Sequence, residues 1–397
     1  MDHAAKGAMP PYAEVGKAKA KAGTPGFFAG SCKMLTGSKL NLLLAVIPVA
    51  AYSEQITDNE AAIFLLSATA ILPLAALLGD ATEQVALHTN ETIGGLLNAT
   101  FGNATEMIIS FFLLRAGHLH VVQLSLLGSI LSNSLLVLGF ACVSAGIVKR
   151  NVTFNSIESS ANSTMLQVAV MGIVLPTLMS SVGQFEAHDA VELNMSRFIS
   201  AIYLVLYCLY LVHTMTPDEP SKSDNGKMSD DKEEEEEEEV LFSLPSALFW
   251  LFVSTAILAF LSEVLSGAVE GAAEGMGLTK AFVGFVIIPI VGNAAEHSTA
   301  VIMAFRLKMD LALGVAQGSS TQIALFVIPA MVMLGWAIGQ PLDLQFGVFE
   351  TVITWLSTVI VASVINDGST NWLEGAMLIA SYIIISSAFF FYHDDAL

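Results

Sequence analysis

The chain has 397 residues, of which 54% are hydrophobic and only 13% charged, roughly half the charged share of an ordinary globular chain, and this excludes a typical soluble domain. The formal net charge of -20 includes one uninterrupted acidic run, and no basic surface is available for nucleic acid. Three scattered cysteines, Cys32, Cys142 and Cys208, exclude a disulfide framework and a thiolate metal centre.

In chain order, residues 1–39 are rich in Ala, Gly and Lys and read as a disordered cytoplasmic tail. Residues 40–55 form an extra first helix, retained because no small-residue cleavage pattern follows it. The remaining apolar runs approach the roughly 20 residues needed to cross a bilayer. Eleven spans are expected in all, centred near Ala45, Ile71, Thr105, Asn133, Ile173, Val205, Thr255, Gly292, Ile323, Trp355 and Tyr382. The fold class is therefore an all-α polytopic membrane protein, with lipid as its solvent. A polar linker over 216–242 parts a first five-helix unit, 61–215, from a second, 243–397. The linker contains Glu233, Glu234, Glu235, Glu236, Glu237, Glu238 and Glu239, which is either a self-repelling solvated spacer or a regulatory segment that gathers cations. Lysine and arginine crowd the side of the N-terminal tail, and only Arg115, Arg197 and Lys280 fall opposite. The positive-inside rule then places the N-terminus and linker in the cytoplasm, and the C-terminus across the membrane.

An offset of 190 positions superposes Gly102, Asn103, Ala104 and Glu106 on Gly292, Asn293, Ala294 and Glu296, and one span later Gly128 and Ser129 on Gly318 and Ser319. A unit of five helices cannot repeat without reversing its direction in the membrane, so the repeats are inverted. Inverted repeats that meet at the midplane are a recurrent architecture of secondary transporters.

Glu106 and Glu296 each fall about halfway along an apolar span, where an unpaired carboxylate costs at least roughly 2.5 kcal/mol and marks function by default. On a helix Asn103 shares a face with Glu106, and Asn293 with Glu296. Gly102 and Gly292 permit close helix approach or a break that frees backbone carbonyls, a break favoured in the second half by Pro289. Ser129, Ser132 and Asn133 in one half, and Ser319, Ser320, Thr321 and Gln322 in the other, supply further oxygens; serine and threonine also satisfy their own helices. His297 has Met107 as its repeat counterpart, so it breaks the symmetry and either tunes Glu296 or bonds a neighbouring helix. Asp80 and Glu83 at one end, and Glu263, Glu270 and Glu274 at the other, are either solvated helix ends or vestibules that concentrate cations.

Ligands of oxygen alone select hard cations, and calcium accepts six to eight oxygens at flexible geometry. Two carboxylates match the charge of one such ion, and two protons neutralise the same pair, which gives antiport without a separate proton wire. No phosphate-binding glycine loop or soluble catalytic domain points to an ATP-driven pump, and neither a cofactor nor enzyme chemistry is expected.

The segments Gly94-Gly-Leu-Leu-Asn-Ala-Thr-Phe-Gly-Asn-Ala-Thr-Glu106 and Pro289-Ile-Val-Gly-Asn-Ala-Ala-Glu-His297 resemble those of the cation/proton exchanger family, in the calcium/cation antiporter superfamily. The resemblance implies a vacuolar-type exchanger that exports cytosolic calcium against stored protons, with Glu106 and Glu296 as ion-binding carboxylates beside Asn103 and Asn293. It also implies an acidic segment that faces the cytosol and regulates the pore. A manganese/proton exchanger and a passive cation channel are the alternative readings, and the sequence leaves the oligomeric state open. Deletion of Glu233 to Glu239 tests the linker: a regulatory segment shifts the calcium dependence of transport, and unchanged kinetics assign it as a spacer.

Overall fold

The computed structural model describes residues 26–183, 190–215 and 240–391. The expected linker run Glu233 to Glu239 lies outside the described residues. The helices, in chain order, are α1 (Phe27–Thr36), α2 (Lys39–Ala51), α3 (Glu60–Ala86), α4 (Glu91–Phe101), α5 (Ala104–Ala116), α6 (Leu119–Val148), α7 (Ser156–Ser181) and α8 (Ala190–Met215). In the second half follow α9 (Leu244–Gly267), α10 (Val269–Met276), α11 (Lys280–Gly292), α12 (Ala294–Phe305), α13 (Met309–Ile338), α14 (Val348–Ile365) and α15 (Trp372–Phe390).

Among the described residues, eight helices are long and apolar enough to cross a membrane, and ten candidate spans result if each of two bent pairs, α1 with α2 (98°) and α10 with α11 (115°), counts once. The expected eleven are thus not eleven single helices. The span expected around Thr105 is two half-helices, α4 and α5, and the one around Gly292 is likewise split between α11 and α12. Part of the expected disordered tail is also ordered, because residues 27–36 form a helix with something to pack against. Trp250 donates to the Ser31 hydroxyl at 2.9 Å, and the Phe27 and Phe249 rings meet edge to face at 5.6 Å.

Large apolar side chains face outward along α8 and α15, for example Phe198 at 67% and Ile384 at 68% exposure. Water would penalise that surface, whereas lipid solvates it.

The repeat is written into the backbone. Helices α6 and α13 match at both ends under the 190-residue offset, and each carries a π-helical segment in its middle, Ser132–Val137 and Ile323–Val327. At the end of α5, Gly117 takes a left-handed φ of 87°, and its repeat mate Leu307 takes 63°. Both turns close in the same way, with His118 N donating to Leu113 O and Lys308 N to Met303 O, each at 3.0 Å. Repeat mates also pack on each other, α3 on α9 and α7 on α14, while the contact of α8 with α13 is reciprocated by α15 with α6. The Ser320 hydroxyl donates to the carbonyl of its own repeat mate, Ile130, at 3.2 Å. Equivalent residues can touch only beside the pseudo-twofold axis, so that axis runs between α6 and α13.

Short strands β1 (Asn151–Thr153) and β2 (Ser369–Asn371) pair antiparallel, Val152 opposite Thr370, and tie the two halves together at one end. Nearby, Gly146 allows α6 to approach the Trp372 backbone so closely that a Cβ would lie 2.6 Å from its nitrogen.

Leucine in the left-handed region costs roughly 1–2 kcal/mol, and Leu307 is 41% exposed. Leu307→Gly is therefore expected to raise the thermal midpoint of the purified protein, where an equivalent change at a buried leucine lowers it.

Candidate functional site

The two half-helix breaks bring the predicted residues together. Asn103 (φ -104°, ψ 21°) and Asn293 (φ -95°, ψ 9°) sit in the bridge region between helical and extended backbone, each at the start of a new helix. The break in the first half has no proline, so the Gly-Asn pair suffices without the help that Pro289 gives in the second. Tyr207 of α8 donates to the Ala99 carbonyl in the last turn of α4 at 3.3 Å, and so satisfies backbone beside the break.

Glu106 and Glu296 occupy the first turns of α5 and α12. Each carboxylate thereby sits where free backbone N–H groups carry partial positive charge, while the C-terminal carbonyls of α4 and α11 end at the same breaks and present partial negative charge. A chain of side-chain hydrogen bonds connects the two motifs: Ser319 bonds both Asn103, three residues before Glu106, and Asn133, which reaches Glu296. Glu106 is buried, 6% exposed, and its Oε1 lies against Gly292, where a Cβ would stand only 3.4 Å away. Gly292 thus leaves room for the carboxylate of the opposite repeat. Gly102 does not mirror this role: a Cβ there would meet the Asn98 carbonyl of its own helix at 2.7 Å.

A belt of amides and hydroxyls joins the repeats. Asn103 donates to Gln322 Oε1 at 2.6 Å and accepts from the Ser319 hydroxyl at 3.1 Å. Asn133 donates to Ser319 at 3.0 Å and, more weakly, to Glu296 Oε2 at 3.4 Å. Ser134 donates to Ser320 at 2.9 Å. The belt is lopsided: both carboxylate oxygens of Glu106 and both side-chain atoms of Asn293 are buried without a hydrogen bond among the described residues. Three of these four atoms are acceptor oxygens, the kind of atom that suits a hard cation or, at the carboxylate, a proton.

The other predicted residues divide. Ser129 is buried in α6, and Ser132 donates back to the Ser129 carbonyl at 3.2 Å, so it serves its own helix. His297 is half-buried beside Glu296, its Nε2 without a hydrogen bond among the described residues. Asp80 is exposed and Glu83 half-buried near the end of α3. Glu263 pairs with Arg115 at 3.3 Å, and Glu270 with Lys280 at 2.7 Å and His118 at 3.6 Å, while Glu274 is exposed. Sequence reasoning missed Ser134, whose repeat mate is the apolar Ala324, and Tyr207, whose bond to the Ala99 carbonyl depends on three-dimensional packing.

With this geometry in view, the profile of the family described as "Sodium/calcium exchanger protein" matches residues 59–216 and 246–391. Among curated proteins, the chain is 44% identical over 361 residues to the vacuolar cation/proton exchanger 3 of Oryza sativa subsp. japonica, covering 90% of this chain and 87% of that one. It is 40% identical over 371 residues to a Ca(2+)/H(+) antiporter of Synechocystis sp., covering 90% and 99%. Among solved structures it is similar to native YfkE, with TM-score 0.75 and 35% identity over 89% of this chain and 100% of that one. The H+/Ca2+ exchanger CAX superposes with TM-score 0.66 at 12% identity, over 93% and 90%, a likeness of fold.

The lopsided belt makes the two asparagines unequal. Asn103→Ala strands Gln322 and is expected to destabilise by about 1–3 kcal/mol, whereas Asn293→Ala removes an unbonded amide and is neutral or stabilising; thermal unfolding of the two variants checks the difference.

Proposed function

From the premise that this chain belongs to the sodium/calcium exchanger protein family, we propose that it is a secondary antiporter that moves calcium out of the cytosol into an acidic compartment in exchange for protons. The observation that carries this reading is the meeting of the two glutamate motifs from opposite repeats: Glu106 lies against Gly292, four residues before Glu296, and Ser319 and Asn133 link Asn103 to Glu296. The names of the relatives supply calcium, protons and the vacuolar membrane.

The physics of exchange follows from one pair of groups with two ways to lose its charge. Doubly ionised, the pair suffers desolvation and mutual repulsion inside the membrane. One calcium ion neutralises it, with Asn103 and Asn293, and carbonyls freed around Gly102 and Gly292, completing an oxygen shell. Two protons neutralise it as well, and the two loads exclude each other. Only a loaded, neutral site crosses between the two faces cheaply, so transport of one ion requires return of the other. Manganese accepts the same oxygen ligands and is a second substrate. The basic residues of the tail, the linker and the loop at Arg306 and Lys308 orient the N-terminus to the cytosol. Asp80 and Glu83 then lie at the cytosolic mouth and Glu263, Glu270 and Glu274 at the lumenal one, as vestibule acids.

In proteoliposomes with an imposed pH gradient, Glu106→Gln and Glu296→Gln are each expected to abolish calcium uptake. Normal uptake by either variant refutes the site. Calcium flux without any change in lumenal pH identifies a channel instead.

A further inference from the structure

Gln317 lies on α13, five residues before Gln322, and is 1% exposed. Neither its amide oxygen nor its nitrogen has a hydrogen-bond partner among the described residues, a cost of roughly 1–3 kcal/mol for each group. The side chain lines a cavity of about 10 Å³, together with Ser159 and Asn162 of α7 and Asp310, Leu313 and Gly314 of α13. That is room for one water, and the amides and hydroxyl provide the two to four polar partners that a buried water needs. It is too small for a metal ion with its oxygen shell.

The cavity has an outer and an inner end. Asp310, exposed at the start of α13, accepts from the Asn155 backbone at 2.6 Å at the face assigned to the cytosol. One helical turn inward from Gln317, Thr321 donates to the Asn162 carbonyl at 3.4 Å, and Tyr210 of α8 donates to Asn162 Oδ1 at 3.2 Å. Gln322, the next residue, accepts from Asn103, one turn from Glu106. Helix packing does not demand this polarity. The repeat mates of Ser159, Asn162 and Gln317 are the apolar Phe349, Val352 and Leu127, on helices α14 and α6 that also touch each other.

We propose that the seam between α7 and α13 is a water-lined route through which protons, but not metal ions, pass between the cytosol and the Asn103–Gln322 end of the site. This inference rests on the exchange reading above and adds to it a separate proton path, which competition at the carboxylates does not by itself require. A proton that leaves a site carboxylic acid passes to water beside the Gln322 and Asn103 amides, which hold that water but hand on no proton themselves; each water or hydroxyl of the file gives one proton on and receives one, and one proton reaches the cytosol. The carboxylate left behind is the ligand for the incoming cation.

The test is Gln317→Leu, which copies the residue of the repeat mate. X-ray radiolytic footprinting of the full-length protein in ¹⁸O-labelled water is expected to label Leu313 in the parent and about tenfold less in the variant. In proteoliposomes the variant is expected to lose about tenfold in calcium/proton exchange, a barrier increase of about 1.4 kcal/mol, while isotopic calcium/calcium exchange, which moves no proton, stays at the parent rate. Equal labelling of both proteins, or both exchange modes falling together, or neither falling, overturns the route. A parent protein that exchanges no calcium for protons refutes the exchange reading and the route with it, and the labelling then decides the bound water alone.

Discussion

A carboxylate held inside a membrane must find a compensating charge, and every feature of this fold around Glu106 and Glu296 answers that constraint. Bringing two such groups together raises the penalty and, in the same step, creates a site whose charge one divalent ion cancels. The inverted repeat delivers one carboxylate from each direction. The broken helices then set partial charges of both signs beside them, helix N-termini under the carboxylates and helix C-termini facing the same gap. The pseudo-twofold axis, fixed by the contact of Ser320 with Ile130, passes through the polar belt that joins the halves.

The two halves are equivalent in sequence position but not in bonding. The Asn103 side chain bonds Gln322 and Ser319, whereas the Asn293 side chain has no hydrogen bond among the described residues. Gly292 makes room for the opposite carboxylate, and Gly102 serves only its own turn. Such a difference between equivalent elements is what an alternating-access protein requires, because the opposite-facing state exchanges the roles of the repeats. In the proposed exchange cycle, the bonds of Asn103 are the ones that break in one direction and are replaced in the other.

Much of this was legible in the sequence because chemistry that hydrocarbon disfavours leaves a visible mark. Glu106, Glu296 and the Gly-Asn pairs stood out against apolar helices, and the 190-residue offset fixed their partnership. Other features were silent for physical reasons. Breaks at Gly102 and Gly292 are one of two readings of those glycines, and because they do not interrupt the apolar pattern, hydropathy alone counts each broken span as one helix. Residues 27–36 read as a polar tail, since their helix is held by distant Trp250 and Phe249. Leu307 gives no sign of a left-handed backbone, which belongs to the turn closed by Lys308 N on Met303 O. The difference in bonding between Asn103 and Asn293 depends on three-dimensional neighbours, which two identical tripeptides cannot distinguish.

The central claim is that calcium and protons compete for the same two carboxylates. Proton release on calcium addition to the purified protein, followed with a pH indicator in weak buffer at a pH where the site is protonated, tests it most directly. Release of protons by the parent protein, and none by the variant carrying both Glu106→Gln and Glu296→Gln, is the result the account predicts. Calcium binding without proton release from the parent would contradict it.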